Sequence, residues 1–175
     1  MSARDAAGAI IVGVLSDTHG CLYPPVKRLL EGVDHIIHAG DVGSAQVLTE
    51  LRTLAPVTAV RGNCDAEVWA QSLPVRAEVD LGEARILVGH VAGWLRAEAG
   101  DGGFTVVVSG HSHLASIEER DSVLYLNPGS AGPRRFGRPR TVARLEIRPR
   151  RGAEANTEAG SGPHISARIL TAESE

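Results

Sequence analysis

The sequence predicts an α/β protein built as a layered sandwich, with two sheets packed face to face and helices outside. Before Pro74, apolar strand-like runs alternate with helical segments, which is the pattern of parallel strands joined by right-handed crossover helices. After Pro74, short strand-like runs follow one another between turn residues. An alternating half followed by a strand-rich half can bury its apolar faces as two packed sheets.

The first half opens with a strand, a helix and a second strand. The run from Ala9 to Ser16 is unbroken, apolar and rich in Ile and Val, as in a central strand that is covered on both faces. A helix is predicted from Pro24 to Glu31, with Gly32 to end it. A second apolar strand is then predicted from His35 to Ala39.

A second helix and a third strand complete this half. Ser44 can cap the helix, because its hydroxyl can accept a hydrogen bond from a free amide of the first turn. The helix is expected to run to about Leu54, since apolar residues recur at helical spacing within it. A short strand is predicted from Val57 to Val60.

The strand-rich half is predicted to contain five short strands and a closing hairpin. The five strands are Ala77 to Leu81, Arg85 to Val88, Phe104 to Ser109, Ser116 to Glu119 and Val123 to Asn127. A short helix is predicted from Val91 to Ala99, and Thr141 to Ile147 is expected to pair with Ile165 to Leu170. Residues 149–163 are predicted to form a mobile loop, and residues 1–8 a flexible N-terminus.

Length and composition favour a single domain over residues 1–175, because a chain of this size buries one core. Hydrophobic residues make up 43% of the chain and charged residues 22%, as in globular proteins. No apolar run approaches the roughly 20 residues of a membrane-spanning helix. Met1 to Ala9 also lacks the features of a signal peptide. We therefore expect a cytoplasmic protein with no membrane partner, in which Cys21 and Cys64 are free thiols.

The net charge of −3 gives no overall attraction to nucleic acid, which is therefore an unlikely partner. Locally, the segment from Arg134 to Arg151 holds eight arginines and one acid. Arg134 and Arg135 could orient a substrate phosphate through paired N–H groups. An exposed role in solvent is an equally good interpretation of these two residues.

Polar side chains with metal-binding atoms follow five of the predicted strands directly. They are Asp17, His19, Asp41, Asn63, His90, His111 and His113. The carboxyl ends of neighbouring parallel strands lie side by side, and ligand sites in open α/β sheets occur along that edge. Turn chemistry explains one such residue, but it does not explain a repetition at five junctions. The seven residues therefore predict a metal site.

Ligation by Asp, Asn and His without cysteine favours Mn²⁺, Fe²⁺, Zn²⁺, Ni²⁺ or Co²⁺ over Ca²⁺. Seven ligands are enough for two divalent ions, and we expect Mn²⁺ first. Two ions about 4 Å apart can share a hydroxide and stabilise the charges of phosphate transfer.

Five motifs, SDTHG, HAGDVG, VRGNCD, GHSH and NPGS in this order, resemble those of the calcineurin-like metallophosphoesterases. The resemblance is closest to the small bacterial and archaeal phosphodiesterases of that superfamily, and it covers about Ile10 to Ile147. It implies a four-layer α/β/β/α sandwich of two mixed sheets flanked by helices. It also implies hydrolysis of a small-molecule phosphoester, either a phosphodiester or a reactive phosphomonoester. Relatives of this size often form dimers, and by this analogy the oligomeric state stays open between a monomer and a homodimer.

The resemblance implies a dinuclear site in which Asp41 bridges the ions. One ion would be held by Asp17, His19, Asp41 and His113, and the other by Asp41, Asn63, His90 and His111. Asp41, Asn63 and His111 are also predicted to act in catalysis.

The chain departs from the family pattern at two motifs. Many relatives carry a histidine after the Asn of the third motif as a proton donor, whereas this chain has Cys64, a poorer acid at neutral pH. We therefore expect dependence on good leaving groups, with Asp65 as a weak alternative acid. Relatives often have His-Gly-His at the fourth motif, and His90 is the ligand that aligns with it by its strand. His38, inside the second strand, is predicted to be a core or supporting histidine.

Two other functions compete with hydrolysis of small phosphoesters. The resemblance extends to a eukaryotic sorting-complex subunit that keeps this fold with altered metal ligands and acts through partners. A protein-interaction scaffold is therefore the main alternative, although the seven ligands argue against it. A nuclease is the third, and the small number of aromatic residues disfavours it.

Overall fold

The computed structural model describes residues 8–135, 137–150 and 163–172. In these ranges the strands are β1 (Ile10–Leu15), β2 (His35–His38), β3 (Val57–Ala59), β4 (Arg76–Leu81), β5 (Ala84–Gly89), β6 (Val106–Val108), β7 (Ser116–Arg120), β8 (Val123–Asn127), β9 (Arg140–Arg148) and β10 (His164–Ala172). The α-helices are α1 (Pro24–Leu29), α2 (Ala45–Arg52) and α3 (Ala92–Asp101), and a 3₁₀ helix spans Val68–Ser72.

The first sheet has the strand order β10-β9-β1-β2-β3. β1, β2 and β3 are parallel, and the register aligns Val14 with Ile37 and Ile37 with Thr58. β9 pairs antiparallel with both β1 and β10, which confirms the predicted closing hairpin. Because β1, β2 and β3 run in one direction, all three end at the same edge of the sheet.

The second sheet has the order β4-β5-β6-β8-β7. β5, β6 and β8 are parallel, and β4 and β7 add antiparallel edges. Both sheets are therefore mixed, each with three parallel strands at its centre or on one side. The fold class predicted from the sequence is confirmed.

Three apolar clusters separate four layers. The largest lies between the sheets and joins side chains such as Val14, Ile37, Ile86 and Val108. A second packs α1 and α2 on the outer face of the first sheet, and a third packs α3 on the second sheet. Burial on both faces explains why the parallel strands read as continuous apolar runs.

Most differences from the predicted elements occur at their ends. α1 ends at Leu29 and α2 at Arg52, each two residues before the predicted end. β6 is shorter than predicted, because Phe104 packs against α3 instead of continuing the strand. The 3₁₀ helix at Val68–Ser72 was not predicted.

Two predictions lie largely outside the described residues: the flexible N-terminus and the mobile loop over residues 149–163. Within the described ranges, none of the helices is long and apolar enough to cross a membrane.

Candidate metal centre

The structure brings the seven predicted ligands together where the parallel strands of both sheets end. Three of them follow β1 and β2, one follows β3 and three follow β5 and β6. Backbone hydrogen bonds join the loops, since the Asp17 amide donates to the Gly40 carbonyl at 3.0 Å and the Gly110 amide donates to the His90 carbonyl at 3.0 Å. The parallel pairing thus gathers loops that are distant in sequence.

Asp17, His19 and His113 form the first ligand group. The Nε2 atom of His113 lies 3.1 Å from Oδ1 of Asp17 and 3.4 Å from Nε2 of His19. All three ligand atoms are within 4.8 Å of one another. Adjacent ligands on one ion with bonds of about 2.1 Å lie roughly 3.0 Å apart at a right angle and roughly 3.4 Å apart in a tetrahedron. The observed spacing is that of ligands on a common ion.

Asn63, His90 and His111 form the second group together with Asp41. Oδ1 of Asn63 lies 3.1 Å from Nε2 of His90 and 3.0 Å from Nδ1 of His111. Nε2 of His90 also lies 3.4 Å from Oδ2 of Asp41. These distances match those of the first group.

Asp41 lies where the two groups meet. Its carboxylate belongs to two clusters of possible ligand atoms, in each of which all atoms lie within 4.8 Å of one another. One cluster includes Asp17 and His90, and the other includes His19 and Cys64. Oδ1 of Asp41 accepts a hydrogen bond from the Cys64 amide at 2.8 Å, which fixes the orientation of the carboxylate. Asp41 is therefore in reach of both groups.

The Asp17 carboxylate provides a test of whether the site fits a cation. Asp17 is 0% exposed, and its Oδ2 accepts a hydrogen bond from the His111 amide at 3.1 Å, but Oδ1 has no hydrogen-bond donor. The neighbouring His113 nitrogen approaches without hydrogen-bond geometry. A buried anionic oxygen without a donor costs several kcal/mol, on the order of the desolvation penalty of an ion. A divalent cation would satisfy this oxygen, so the residues fit a metal.

The tautomer of His90 leads to the same conclusion. Its Nδ1–H donates to the Ala39 carbonyl at 2.7 Å, so the neutral ring directs the lone pair of Nε2 at the oxygens of Asp41 and Asn63. A lone pair that faces two oxygens needs a proton or a cation between them. The carbonyl thus orients the ring for metal binding.

The contact between His90 and Asp41 shifts their pKa values in opposite directions. Burial alone lowers the pKa of His90, but hydrogen bonds to Asp41 and Ala39 outweigh it and raise the pKa above its usual value. Burial alone raises the pKa of Asp41, but hydrogen bonds from His90 and from the Cys64 amide outweigh it and lower the pKa well below its usual range. A proton on His90 and a metal ion therefore compete for the same place.

His19 differs from His90 in this respect. Burial lowers its pKa, and Asp41, whose charge acts in the opposite direction, does not reverse the effect. The neutral ring that a metal requires is thus favoured at the first group.

Five of the seven candidate ligands have a left-handed backbone. Apart from glycine, seven residues in the described ranges have this conformation, and five of these are Asp17, His19, Asp41, His111 and His113. Such backbone conformations are unfavourable for residues with a side chain and concentrate at functional sites. The sharp loops turn each side chain back towards the common centre.

His38 lies beneath the site as a core histidine, as predicted. It is fully buried, and burial lowers its pKa to about 4. The Thr18 hydroxyl donates to the Val42 carbonyl at 2.8 Å, so Nε2–H of His38 donates to the same hydroxyl at 2.9 Å. These contacts join the loops after β1 and β2.

Asp65 joins the loops after β2 and β3, a structural role that was not predicted from the sequence. Its buried carboxylate accepts hydrogen bonds from the amides of Val42, Gly43 and Gly62 at 2.8 to 3.0 Å. Both carboxylate oxygens are thus engaged by loop amides, a structural arrangement that disfavours the suggested use of Asp65 as the acid. The signal available was an Asp beside turn glycines, a residue type that bonds nearby amides.

Cys64 is exposed and free, as is Cys21. Partial desolvation and the Asp41 carboxylate raise the pKa of the Cys64 thiol. The thiol is therefore neutral at physiological pH.

Asn127, at the end of β8, contacts the loop after β6. The side-chain amide of Asn127 donates to the Gly110 carbonyl at 2.8 Å and thereby holds the loop that carries His111 and His113. Arg134 and Arg135 are exposed and line a pocket that also includes His113.

Comparison with known proteins identifies the family of the chain. Residues 10–150 match the model of the calcineurin-like phosphoesterase superfamily domain. A probable metallophosphoesterase of Methanothermobacter thermautotrophicus is 35% identical over 132 residues, which cover 69% of this chain and 77% of the relative.

Two solved structures share the fold. An archaeal phosphodiesterase superposes with a TM-score of 0.69 at 25% identity and covers 92% of this chain and 100% of its own. Vacuolar protein sorting 29 of Cryptosporidium parvum superposes with a TM-score of 0.68 at 18% identity and covers 93% of this chain and 98% of its own. The second likeness concerns the fold alone. The chain therefore belongs to the calcineurin-like phosphoesterase superfamily and is a metal-dependent hydrolase.

Proposed function

We propose that the protein hydrolyses phosphodiesters, or activated phosphomonoesters, at a dinuclear metal site. The observation that carries the proposal is the position of Asp41 within reach of both ligand groups. Phosphodiesterases among the relatives support the reaction class.

In this proposal Asp17, His19 and His113 would hold one ion, Asn63, His90 and His111 would hold the other, and Asp41 would be shared between them. The two bound ions would lower the pKa of a shared water and polarise the phosphate for in-line attack. The metal we propose first is Mn²⁺, with Ni²⁺, Zn²⁺, Fe²⁺ and Co²⁺ as alternatives, because the ligands mix carboxylate, amide and imidazole.

Two of the proposed ligands are accessible from solvent. Asn63 and His111, both exposed, lie on the open side where a phosphate can reach the centre. Asp41 stays ionised over the physiological pH range because its pKa is lowered. These properties support the predicted catalytic part of Asp41, Asn63 and His111.

Proton donation to the leaving group is the weak step of this site. Cys64 stands where many relatives carry a histidine, and its raised pKa makes it a poor acid at neutral pH. We therefore expect the enzyme to favour esters with good leaving groups.

The direct test is hydrolysis of bis(p-nitrophenyl) phosphate by metal-stripped protein, with Mn²⁺, Ni²⁺ or Zn²⁺ added back. We expect turnover to return with about two ions per chain. Asp41→Asn should lose turnover by about 10³-fold, since a bridging charge supplies several kcal/mol. Asp80→Asn, an exposed change on β4, is the matched control and should keep activity.

A scaffold that binds partner proteins is the second candidate, and the shared fold of vacuolar protein sorting 29 favours it. Folded protein that binds two ions but turns over no ester with any metal would support the scaffold. The homodimer and the cytoplasmic location stay predictions. Gel filtration with light scattering would test the dimer.

A further inference from the structure

A group of arginines surrounds a small pocket beside the metal centre. The pocket shares His113 with the first ligand group, and its arginines are Arg134, Arg135, Arg138 and Arg140. This "arginine pocket" lies in the part of the chain between β8 and β9. The whole chain has a net charge of −3, so the pocket is a local concentration of positive charge.

The loop that carries the pocket is fixed to the first metal loop. The Ala131 amide donates to the Ser16 carbonyl at 2.9 Å, and the Ser130 hydroxyl donates to the Asp17 carbonyl at 3.2 Å. A Cβ atom on Gly132 would lie 2.3 Å from the Asp17 carbonyl oxygen, so the two backbones touch. The distance between the pocket and the metal ligands is therefore set by backbone contacts.

Arg140 forms a fixed wall of the pocket. Its Nε–H donates to the Gly132 carbonyl at 2.9 Å, and its guanidinium lies 3.6 Å from the centre of the Tyr23 ring. These contacts hold the Arg140 side chain in one orientation before a ligand binds. Binding a ligand therefore costs little side-chain entropy at Arg140.

Arg134, Arg135 and Arg138 have no carboxylate partner within the described residues. Arginines elsewhere in those ranges do, since Arg76 and Arg85 both pair with Glu78. Guanidinium groups gathered without anions repel one another, and a bound anion would reverse that repulsion. Their planar N–H groups match the oxygens of a phosphate.

Arg135 and the metal ligand His113 line the same pocket. A ligand in the pocket can therefore contact the guanidinium of Arg135 and lie beside the metal centre.

We propose that the arginine pocket binds a second, non-scissile phosphate of the substrate. The preferred substrates are then phosphodiesters that carry another phosphate group, such as esters of phosphorylated nucleosides. This inference rests on the proposed function, because it names the substrate class of the same site.

A matched pair of esters tests the inference. One is thymidine 5′-(4-nitrophenyl phosphate), and the other is the same ester with a 3′-phosphate. For each protein the quantity is the ratio of kcat/KM for the two esters, so a general loss of activity cancels. We expect the wild type to prefer the 3′-phosphorylated ester by about tenfold or more, since one charged hydrogen bond to the second phosphate is enough for a change of about that size.

The variants are Arg134→Gln, Arg135→Gln and the double change, with Arg120→Gln as the charge-matched control. Arg120 is exposed and pairs with Val123 at one end of the β7–β8 pair. Asn127, which supports the site, lies at the opposite end of that pair. The double variant should bring the ratio to about one, and the control should keep the wild-type ratio. A wild-type ratio near one, or a ratio unchanged in the double variant, would overturn the inference.

A binding measurement distinguishes failure of the arginine pocket from failure of the proposed hydrolase activity. Calorimetry would compare thymidine 3′,5′-bisphosphate with thymidine 5′-monophosphate on the same proteins. If no ester is hydrolysed but the bisphosphate binds more tightly and only with the arginines present, the pocket stands and the hydrolase proposal fails. Equal binding of both nucleotides would overturn the pocket.

Discussion

The two ligand groups of the metal centre differ in burial and in backbone. In the first group Asp17 is fully buried, and all three residues have a left-handed backbone. In the second group Asn63 and His111 are exposed, and Asn63 follows β3, which has only three residues and lies at the edge of its sheet. The comparison indicates that the first position is formed by the fold itself, whereas the second is completed by exposed loops.

The electrostatics of the groups differ in the same way. The first group contains an unsatisfied buried oxygen, and its His19 is held neutral. In the second group hydrogen bonds to Asp41 and Ala39 outweigh burial and raise the pKa of His90. We therefore expect the first position to bind metal more tightly, and the changes below test the comparison.

The largest effect is expected from Asp17→Asn, compared with His111→Ala. Asp17→Asn removes the buried charge of the first group, so kcat/KM should fall by about 10³-fold and metal analysis should show loss of the first ion. His111→Ala should leave the first ion in place. The metal-free Asp17→Asn protein should unfold at no lower temperature, because it lacks an unpaired buried anion. Equal metal loss in both variants would contradict the comparison.

Gly62→Ala should act on the second group. A Cβ atom there would lie 2.0 Å from Oδ1 of Asp41 and 2.3 Å from the Asp41 amide nitrogen, so the loop with Asn63 must move. We expect affinity for the second ion to fall by about 100-fold, as for changes in residues that support metal ligands. Calorimetric titration with Mn²⁺ measures both sites.

Gly93→Ala is the control for that change. Gly93 lies in α3, and a Cβ atom there would meet nothing within 4 Å. The free energy of unfolding should rise by about 0.5–1 kcal/mol, with both metal affinities unchanged. If Gly62→Ala behaves like Gly93→Ala, the loop is not held against Asp41.

Cys64→His tests whether a side chain at position 64, beside Asp41, can protonate the leaving group. A histidine has a pKa near neutrality and can protonate a leaving group, whereas the Cys64 pKa is raised. Hydrolysis of alkyl or phenyl esters should increase by about tenfold, and hydrolysis of p-nitrophenyl esters should change little. The slope of log kcat/KM against the leaving-group pKa is the readout. A slope that stays as steep as in the wild type would exclude proton transfer from this position.

The smallest effect concerns the order in which the ions leave as the pH falls. His90 has a raised pKa, so its proton competes with metal beginning at a higher pH than for an ordinary histidine. His19 has a lowered pKa, so competition at the first group begins at a lower pH. The second ion should therefore dissociate first on acidification. Metal content measured after dialysis across pH 5 to 8 would show the order, and simultaneous loss would contradict it.

The position of the ligands could be predicted because it follows from strand direction. Once β1, β2 and β3 are parallel, residues just after each strand must lie at one edge, whatever the details of the loops. The same reasoning located His90 and His111 after β5 and β6. The apolar runs that identify these strands are buried on both faces and therefore have a strong sequence signal.

The contacts between loops could not be predicted in this way. The three hydrogen bonds to Asp65 depend on how the loops after β2 and β3 approach each other, and the register that aligns Ile36 with Val57 sets this approach. The left-handed backbone at His19 and His113 has no sequence signal either, because histidine does not require it. Arg134 and Arg135 read as a basic segment, and only the fold brings them to His113.

The left-handed ligands have a consequence for how the protein responds to metal depletion. Each such residue makes the metal-free fold less favourable, while an ion that binds only the folded chain stabilises it in proportion to the logarithm of its concentration. The melting temperature of the protein should therefore report the free metal concentration around it. A shortage of metal would then reduce the amount of intact protein in addition to its rate, because the unloaded chain opens more often and is degraded sooner.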